Sequence, residues 1–139
     1  MMDSVYLMLN PWLLFRFKIG ISDNVKRRER ENGAITLFHF RLPFARRIES
    51  GLHWIYRPLN WPAPKSFSGH SEYHLCLNPA FTLALYVLFP DLPKEAYIAA
   101  FFAPVPIDAA VILYGIAAVA YAGIAAVIGL AGYLIYLSF

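Results

Sequence analysis

The sequence contains few charged residues for its length. Only 15% of its 139 residues are charged and 59% are hydrophobic, whereas soluble domains average about 25% charged and about 45–50% apolar residues. This composition excludes a disordered chain and an ordinary soluble domain, and the length excludes a multidomain enzyme.

Cysteine is almost absent too. Cys76 is the single cysteine in the sequence, which excludes a disulfide within the chain and a zinc site of the CxxC type. The first 15 residues are apolar but contain Asp3 and lack a basic leading segment, so we expect no secretory signal. We therefore expect the N-terminal part to occupy a reducing compartment.

The charges that are present divide the chain into two parts. Residues 1–80 contain eleven Lys and Arg against six Asp and Glu, a net charge of 11 − 6 = +5. Residues 81–139 contain one basic and three acidic residues, a net charge of 1 − 3 = −2. The sequence thus predicts a small basic domain, residues 1–78, joined to an apolar region.

The basic domain has the pattern of a small α+β fold. Apolar alternation and turn residues predict strands, while capping residues and helical spacing predict helices. In the second predicted helix, Ile48, Leu52 and Ile55 should form one buried stripe. The predicted order is β-β-α-β-α with a closing strand, over residues 5–9, 15–21, 25–31, 34–42, 44–57 and 71–77.

The apolar region has two segments of different length. Residues 79–107 form a connector interrupted by prolines. Its apolar runs, 80–89 and 96–103, are each too short to cross a bilayer. An interfacial or re-entrant hairpin is an alternative topology for these two runs. Residues 109–139 form a run of 31 without a charge. As a helix this run would be about 46 Å long, against about 30 Å for the hydrocarbon core. We predict a single transmembrane helix over residues 108–139, with a buried stalk inside a large assembly as the alternative.

Small residues recur along this predicted helix with spacings of 3 and 4. Such a ridge favours close packing against another helix, either in a homo-oligomer or in a larger membrane assembly, with the opposite side facing the lipid bilayer. Asp108 is expected to cap the start of the helix. The excess of basic residues before the span predicts that the N-terminal domain is cytoplasmic, or inside a membrane-containing virion. The ridge consists of Gly115, Ala118, Ala122, Ala125, Gly129 and Gly132.

Several short motifs of the basic domain occur in an order that resembles a known family. They are Val5-Tyr6-Leu7, Lys18-Ile19-Gly20-Ile21-Ser22, Arg27-Arg28, Glu49-Ser50-Gly51-Leu52-His53 and Gly69-His70-Ser71-Glu72-Tyr73. This order resembles the GIY-YIG nuclease superfamily, and within it the phage-associated branch whose second motif reads Tyr-Lys-Ile-Gly. The resemblance covers residues 4–78 and implies a bacterial or phage protein.

The resemblance also implies a site for phosphodiester cleavage. Glu49 would hold one Mg²⁺, Arg28 would steady the phosphate, and Tyr6, aided by Lys18, would orient or deprotonate the attacking water. These roles match what the reaction requires, namely a divalent cation, a base and positive charge. DNA phosphates would also contact further basic residues, for which we select Lys26, Arg27, Arg30, Arg46 and Arg47.

Each of these residues also has an ordinary structural explanation. Glu49 can pair with Arg46 or His53 on its own helix, the basic residues can form a solvated helix face, and Tyr6 can be a core aromatic. Two hypotheses therefore follow from the sequence. The first is a membrane-anchored GIY-YIG-like domain that binds DNA and cleaves it with Mg²⁺, and the second is a catalytically degenerate accessory subunit of a membrane assembly.

Overall fold

The computed structural model describes residues 2–13, 15–67 and 69–139 and has an α+β architecture. Four strands form one antiparallel sheet in the order β3-β1-β2-β4. The α+β class and the long C-terminal helix predicted from the sequence are confirmed. The elements are β1 Ser4–Leu9, β2 Arg16–Ser22, α1 Val25–Asn32, β3 Ile35–Arg41, α2 Ala45–Ile55, β4 Tyr73–Leu75, α3 Pro79–Leu88, α4 Lys94–Phe101 and α5 Ile107–Ser138, with short 3-10 turns at Arg57–Leu59 and His70–Glu72.

The two faces of the central strands have different partners. Val5 and Leu7 of β1 and Phe17 and Ile19 of β2 are fully buried in the main hydrophobic core. Because side chains alternate along a strand, Tyr6 of β1 and Lys18 of β2 lie on the other face. The sheet therefore separates an apolar core from a face that carries the polar residues of interest.

The buried stripe of α2 differs from the predicted one. Leu52 is buried and Ile48 packs against the core, but 48% of Ile55 is exposed, and Tyr56 takes the inward place. The inward positions thus follow a spacing of four along the chain, from Ile48 through Leu52 to Tyr56. The prediction for Ile55 was wrong. Helical spacing allows either Ile55 or Tyr56 to continue the buried side after Leu52, and the position of the sheet against the helix selects Tyr56.

The first turns of α5 belong to the core of the sheet domain. Ala109, Ala110 and Leu113 are buried in the same cluster as the central strands, and Tyr114 packs edge-on against Phe38, with ring centroids 5.2 Å apart. Beyond Ala117, α5 is exposed almost throughout. The helix is long and apolar enough to cross a membrane. Its exposed part, residues 118–138, is about 31 Å long, which is close to the hydrocarbon thickness.

Asp108 makes a contact that the sequence did not indicate. Its carboxylate accepts hydrogen bonds from the backbone N–H groups of Ala80 and Phe81, at 2.9 and 2.8 Å. It therefore caps α3 across a separation of 28 residues, rather than the start of its own helix. The buried Asn78 completes this junction, because its side chain accepts from the N–H of Asp108 at 3.1 Å.

The connector between the sheet and α5 is helical. The helices α3 and α4 pack against each other, with the rings of Tyr86 and Tyr97 5.5 Å apart. Much of their apolar surface is exposed, including Leu83, Val87 and Leu88. Helix α3 lies beside the start of α5, and the exposed apolar surface of the two helices is unlike that of a soluble domain.

Candidate functional site

A pocket of about 310 Å³ opens on the polar face of the sheet. It brings together residues from β1, β2, α1 and α2 with Gly69 and Glu72, so that residues separated by up to 66 positions in the sequence share one cavity. The four residues that the family resemblance implies for catalysis and metal binding are all present in its wall. The lining consists of Tyr6, Lys18, Ile21, Arg28, Glu49, Gly69 and Glu72.

The strand register explains why Tyr6 and Lys18 meet. Tyr6 of β1 lies opposite Gly20 of β2, and Lys18 is two residues from Gly20 along the same strand. Residues two apart on a strand share a face. Consequently the side chains of Tyr6 and Lys18, on neighbouring strands, both line the same pocket.

Gly20 allows the Tyr6 ring to lie across β2. A Cβ atom at Gly20 would be 2.5 Å from the Tyr6 hydroxyl oxygen and 2.6 Å from the ring carbon that bears it. Such separations are far below van der Waals contact. The glycine is therefore required by the close approach of the tyrosine and not by its own backbone conformation.

We expect Gly20→Ala to displace Tyr6 and to lower the free energy of unfolding by about 1–3 kcal/mol, the usual range for overpacking. Gly51→Ala is the matched control, because a Cβ atom there meets nothing within 4 Å; in a helix this change should be neutral or stabilising by about 0.5–1 kcal/mol. Denaturant unfolding of the full chain in micelles measures both. Equal effects of the two substitutions would contradict the packing described for Tyr6.

Lys18 is held in the pocket by an ion pair. Its Nζ lies 3.3 Å from Glu72 Oε2, and only 3% of its side chain is exposed. Burial lowers the pKa of Lys18, and the adjacent Glu72 carboxylate opposes this effect. The amine thus carries its charge in a place where Glu72 is needed to stabilise it.

Gly69 lets the chain fold Glu72 onto Lys18. It has a φ of +63°, and a Cβ atom there would be 2.6 Å from Lys18 Nζ. The following turn, His70–Glu72, then directs the Glu72 carboxylate into the pocket. Glu72 was absent from the predicted site residues, although it lies in the last motif that resembles the family.

Arg28 provides the second positive charge. Its Nη1 lies 3.2 Å from Glu31 Oε2, one turn along the same helix. The Nε atom is buried and has no hydrogen-bond partner among the described residues. Arg28 also lines the cavity, and a guanidinium in such a wall suits a phosphate oxygen.

The remaining basic residues selected from the sequence lie outside this wall. Lys26 lines a separate polar pocket together with Asp23 and Glu29. The others are exposed on α1 and in the first turn of α2, where the Arg47 guanidinium lies 5.7 Å from the Phe44 ring. The exposed set comprises Lys26, Arg27, Arg30, Arg46 and Arg47.

Tyr6 is a hydrogen-bond donor in this environment. It is only 2% exposed. Burial raises its pKa, and the Glu72 and Glu49 carboxylates raise it further, although Arg28 acts in the opposite sense. The phenol therefore keeps its proton at neutral pH and can orient a water molecule or a phosphate oxygen by donating a hydrogen bond.

Glu49 lies between two cavities. It lines the pocket described above and also a neighbouring cavity of about 580 Å³, together with His53, Glu72 and His74. Its side chain is 16% exposed, and Oε1 lies 3.9 Å from His53 Nε2. A half-buried carboxylate beside open space and near an arginine fits a Mg²⁺ ion that takes its other ligands from water and phosphate. In residues 2–13, 15–67 and 69–139, no cluster of three or more His, Cys, Asp or Glu is arranged to bind a metal ion.

Cys76 is part of the core and not of the site. It is 1% exposed, and burial raises its pKa to about 12. The thiol is therefore protonated at neutral pH and is a poor nucleophile.

Comparisons of the chain with protein-family models, with curated proteins and with solved structures find no match.

Proposed function

We propose that this chain is a membrane-anchored GIY-YIG-like nuclease that binds DNA and cleaves phosphodiester bonds with one Mg²⁺. The observation that carries the proposal is the meeting of Tyr6, Lys18, Arg28 and Glu49 in one pocket. These residues come from four different elements, and a solvated helix face or a core aromatic would not require their convergence. The ordered motifs and the pocket are thus two independent reasons for the same site.

Each of the four side chains would have a separate role in hydrolysis. Glu49 would hold the Mg²⁺ ion, which supplies positive charge at the phosphate and makes its bound water more acidic. Arg28 binds a non-bridging oxygen and stabilises the charge that develops there, while Lys18 adds a second charge from the sheet. Tyr6 donates a hydrogen bond that orients the attacking water. The water oxygen forms the new bond to phosphorus and loses a proton to solvent, while the bond to the leaving oxygen breaks and that oxygen takes a proton from solvent.

The exposed basic residues of α1 and α2 would hold the DNA backbone near the pocket. They are five of the eleven Lys and Arg in residues 1–80. Contacts of this kind bind phosphate without reading sequence and weaken steeply as salt increases. They support binding of DNA as the partner but do not indicate a preferred sequence.

Plasmid nicking by the purified full chain in micelles, with Mg²⁺ or Mn²⁺, tests the proposal. We expect Arg28→Ala to lower the cleavage rate by about 10²-fold or more, since it removes a donor to the transition state. Arg30→Ala is the matched control, because it removes the same charge from an exposed position on the same helix. Equal losses would mean that general basicity, and not a site, supports DNA cleavage.

The membrane anchor in this proposal is the exposed part of α5. Residues 118–138 contain no charged residue and match the bilayer in length. With all twelve Lys and Arg before this segment, the positive-inside rule favours a single pass with the sheet domain in the cytoplasm, or in the interior of a membrane-containing virion.

The small-residue ridge would pair α5 with another helix. At about 100° per residue, it is centred roughly 130° around the helix from the buried Leu113 and Ala117, so the sheet domain does not cover it. We expect Ala122→Leu to weaken self-association about tenfold, because it prevents close backbone approach. Energy transfer between labelled chains in micelles measures this, with Leu130→Ala as the control. If Leu130→Ala weakens association more than Ala122→Leu does, the ridge is not the packing face.

The accessory-subunit hypothesis draws support from a different observation. The exposed apolar surface of α3 and α4, including Leu83, Val87 and Leu88, is larger than an isolated anchored enzyme needs. Absence of cleavage by the wild-type chain on any form of DNA would favour this second function.

A further inference from the structure

Two hydrogen bonds link the backbone carbonyl of Tyr56 through His74 to His53, whose other ring nitrogen faces Glu49 at a longer distance. His74 Nδ1 lies 3.2 Å from the carbonyl oxygen of Tyr56, and His74 Nε2 lies 2.9 Å from His53 Nδ1. His53 Nε2 then lies 3.9 Å from Glu49 Oε1. Since His53 and His74 are 21 positions apart, the sequence does not indicate this arrangement.

The backbone carbonyl determines the direction of both hydrogen bonds. A carbonyl oxygen can only accept, so His74 Nδ1 must donate to Tyr56. With the proton of a neutral ring on Nδ1, His74 Nε2 carries a lone pair and accepts the hydrogen bond from His53. His53 must therefore donate from Nδ1, and in the neutral ring its Nε2 presents a lone pair.

We propose that His53 Nε2 is a second ligand of the divalent cation held by Glu49. This inference rests on the proposed function, in which Glu49 is the metal ligand. Two ligands each about 2.1 Å from one ion lie about 3.0–4.2 Å apart, and the observed separation of 3.9 Å falls in that range. Metal-binding histidines donate their other N–H to a fixed acceptor, and His74 is such an acceptor here.

The cavity beside the pair has room for the ion and its water ligands. It has a volume of about 580 Å³, and Glu72 lines it together with Glu49 and His53. A site with one imidazole and one carboxylate favours Mn²⁺, Co²⁺ or Ni²⁺ over Mg²⁺, which prefers oxygen ligands. The proposed ligand pair thus predicts that this chain binds Mn²⁺, Co²⁺ or Ni²⁺ more tightly than Mg²⁺.

Metal binding to the full chain in micelles, without a histidine tag, tests the proposal independently of DNA cleavage. We expect Mn²⁺ to bind at least about tenfold more tightly than Mg²⁺. His53→Gln should weaken Mn²⁺ binding by about tenfold or more while changing Mg²⁺ binding less than about threefold. His39→Gln, at an exposed position of β3, is the control and should change neither affinity.

Pulsed EPR of the Mn²⁺-loaded wild-type chain provides a second readout that needs no variant. We expect nuclear modulation from an imidazole nitrogen, and its absence would overturn the proposal. Unchanged Mn²⁺ affinity in His53→Gln, with loss of affinity in Glu49→Gln, would also overturn it and would leave the nuclease proposal intact. Unchanged affinity in both variants would overturn the metal role of Glu49 and the proposed function with it.

Discussion

Glu49→Gln is expected to reduce the Mg²⁺-dependent cleavage of DNA by about 10³-fold or more while leaving DNA binding nearly unchanged. The substitution removes the carboxylate proposed to hold the metal ion, and loss of several kcal/mol of transition-state stabilisation corresponds to this factor at about 1.4 kcal/mol per tenfold. The basic residues of α1 and α2 are retained, so phosphate contacts persist. Nicking rates and electrophoretic mobility shifts, measured on the same preparation, give the two quantities.

Glu95→Gln is the matched control for that experiment. Glu95 is exposed in the first turn of α4, outside the pocket, and its substitution makes the same change in charge. If both variants lost activity equally, charge alone would explain the result. If Glu49→Gln abolished DNA binding as well as cleavage, the pocket would be a site of DNA binding rather than of metal-dependent cleavage.

Truncation of the chain after Asn78 is expected to prevent folding of the sheet domain, whereas truncation after Ala117 is expected to preserve the fold. The reason is that Ala109, Ala110 and Leu113 complete the core beneath the central strands. Leu113 is fully buried, and replacement of such a leucine by alanine costs about 2–5 kcal/mol, a large share of the 5–15 kcal/mol typical of a domain. Circular dichroism and cooperative thermal unfolding of the two fragments in mild detergent test this.

The point substitutions Leu113→Ala and Leu130→Ala provide the control within the full chain. Both remove the same atoms from the same helix, but Leu130 is 60% exposed in the part of α5 that lies beyond the sheet. Only Leu113→Ala should lower the free energy of unfolding of the sheet domain. A cooperative, native-like transition for residues 1–78 would show that α5 is an attachment and not a part of the core.

The candidate site and the long apolar helix α5 are joined more closely than the sequence indicated. Since α5 begins inside the core and continues to Ser138 without a break, the sheet domain is fixed to the start of the exposed helix. A nuclease built in this way would present its pocket at a constant orientation to the membrane. DNA would then have to approach the bilayer to be cleaved.

The sequence by itself determined the local features of this protein. The β-rich runs that form β1 and β2, and the Asn24 and Gly33 caps of α1, depend on neighbouring residues and were predictable. The helix α5 was equally predictable, because a charge-free run of this length is typical of a long apolar helix. The ordered motifs likewise pointed to Tyr6 and Glu49 before any distance was known.

Only the tertiary structure decided which distant residues meet. The capping of α3 by Asp108, the inward turn of Tyr56 in place of Ile55, and the link from His74 to His53 all join positions whose proximity depends on how the elements pack. Periodicity identifies which side of an element is apolar, but it contains no information about which partner covers that side. For the same reason, the point at which α5 leaves the sheet, near Ala117, followed from packing and not from composition.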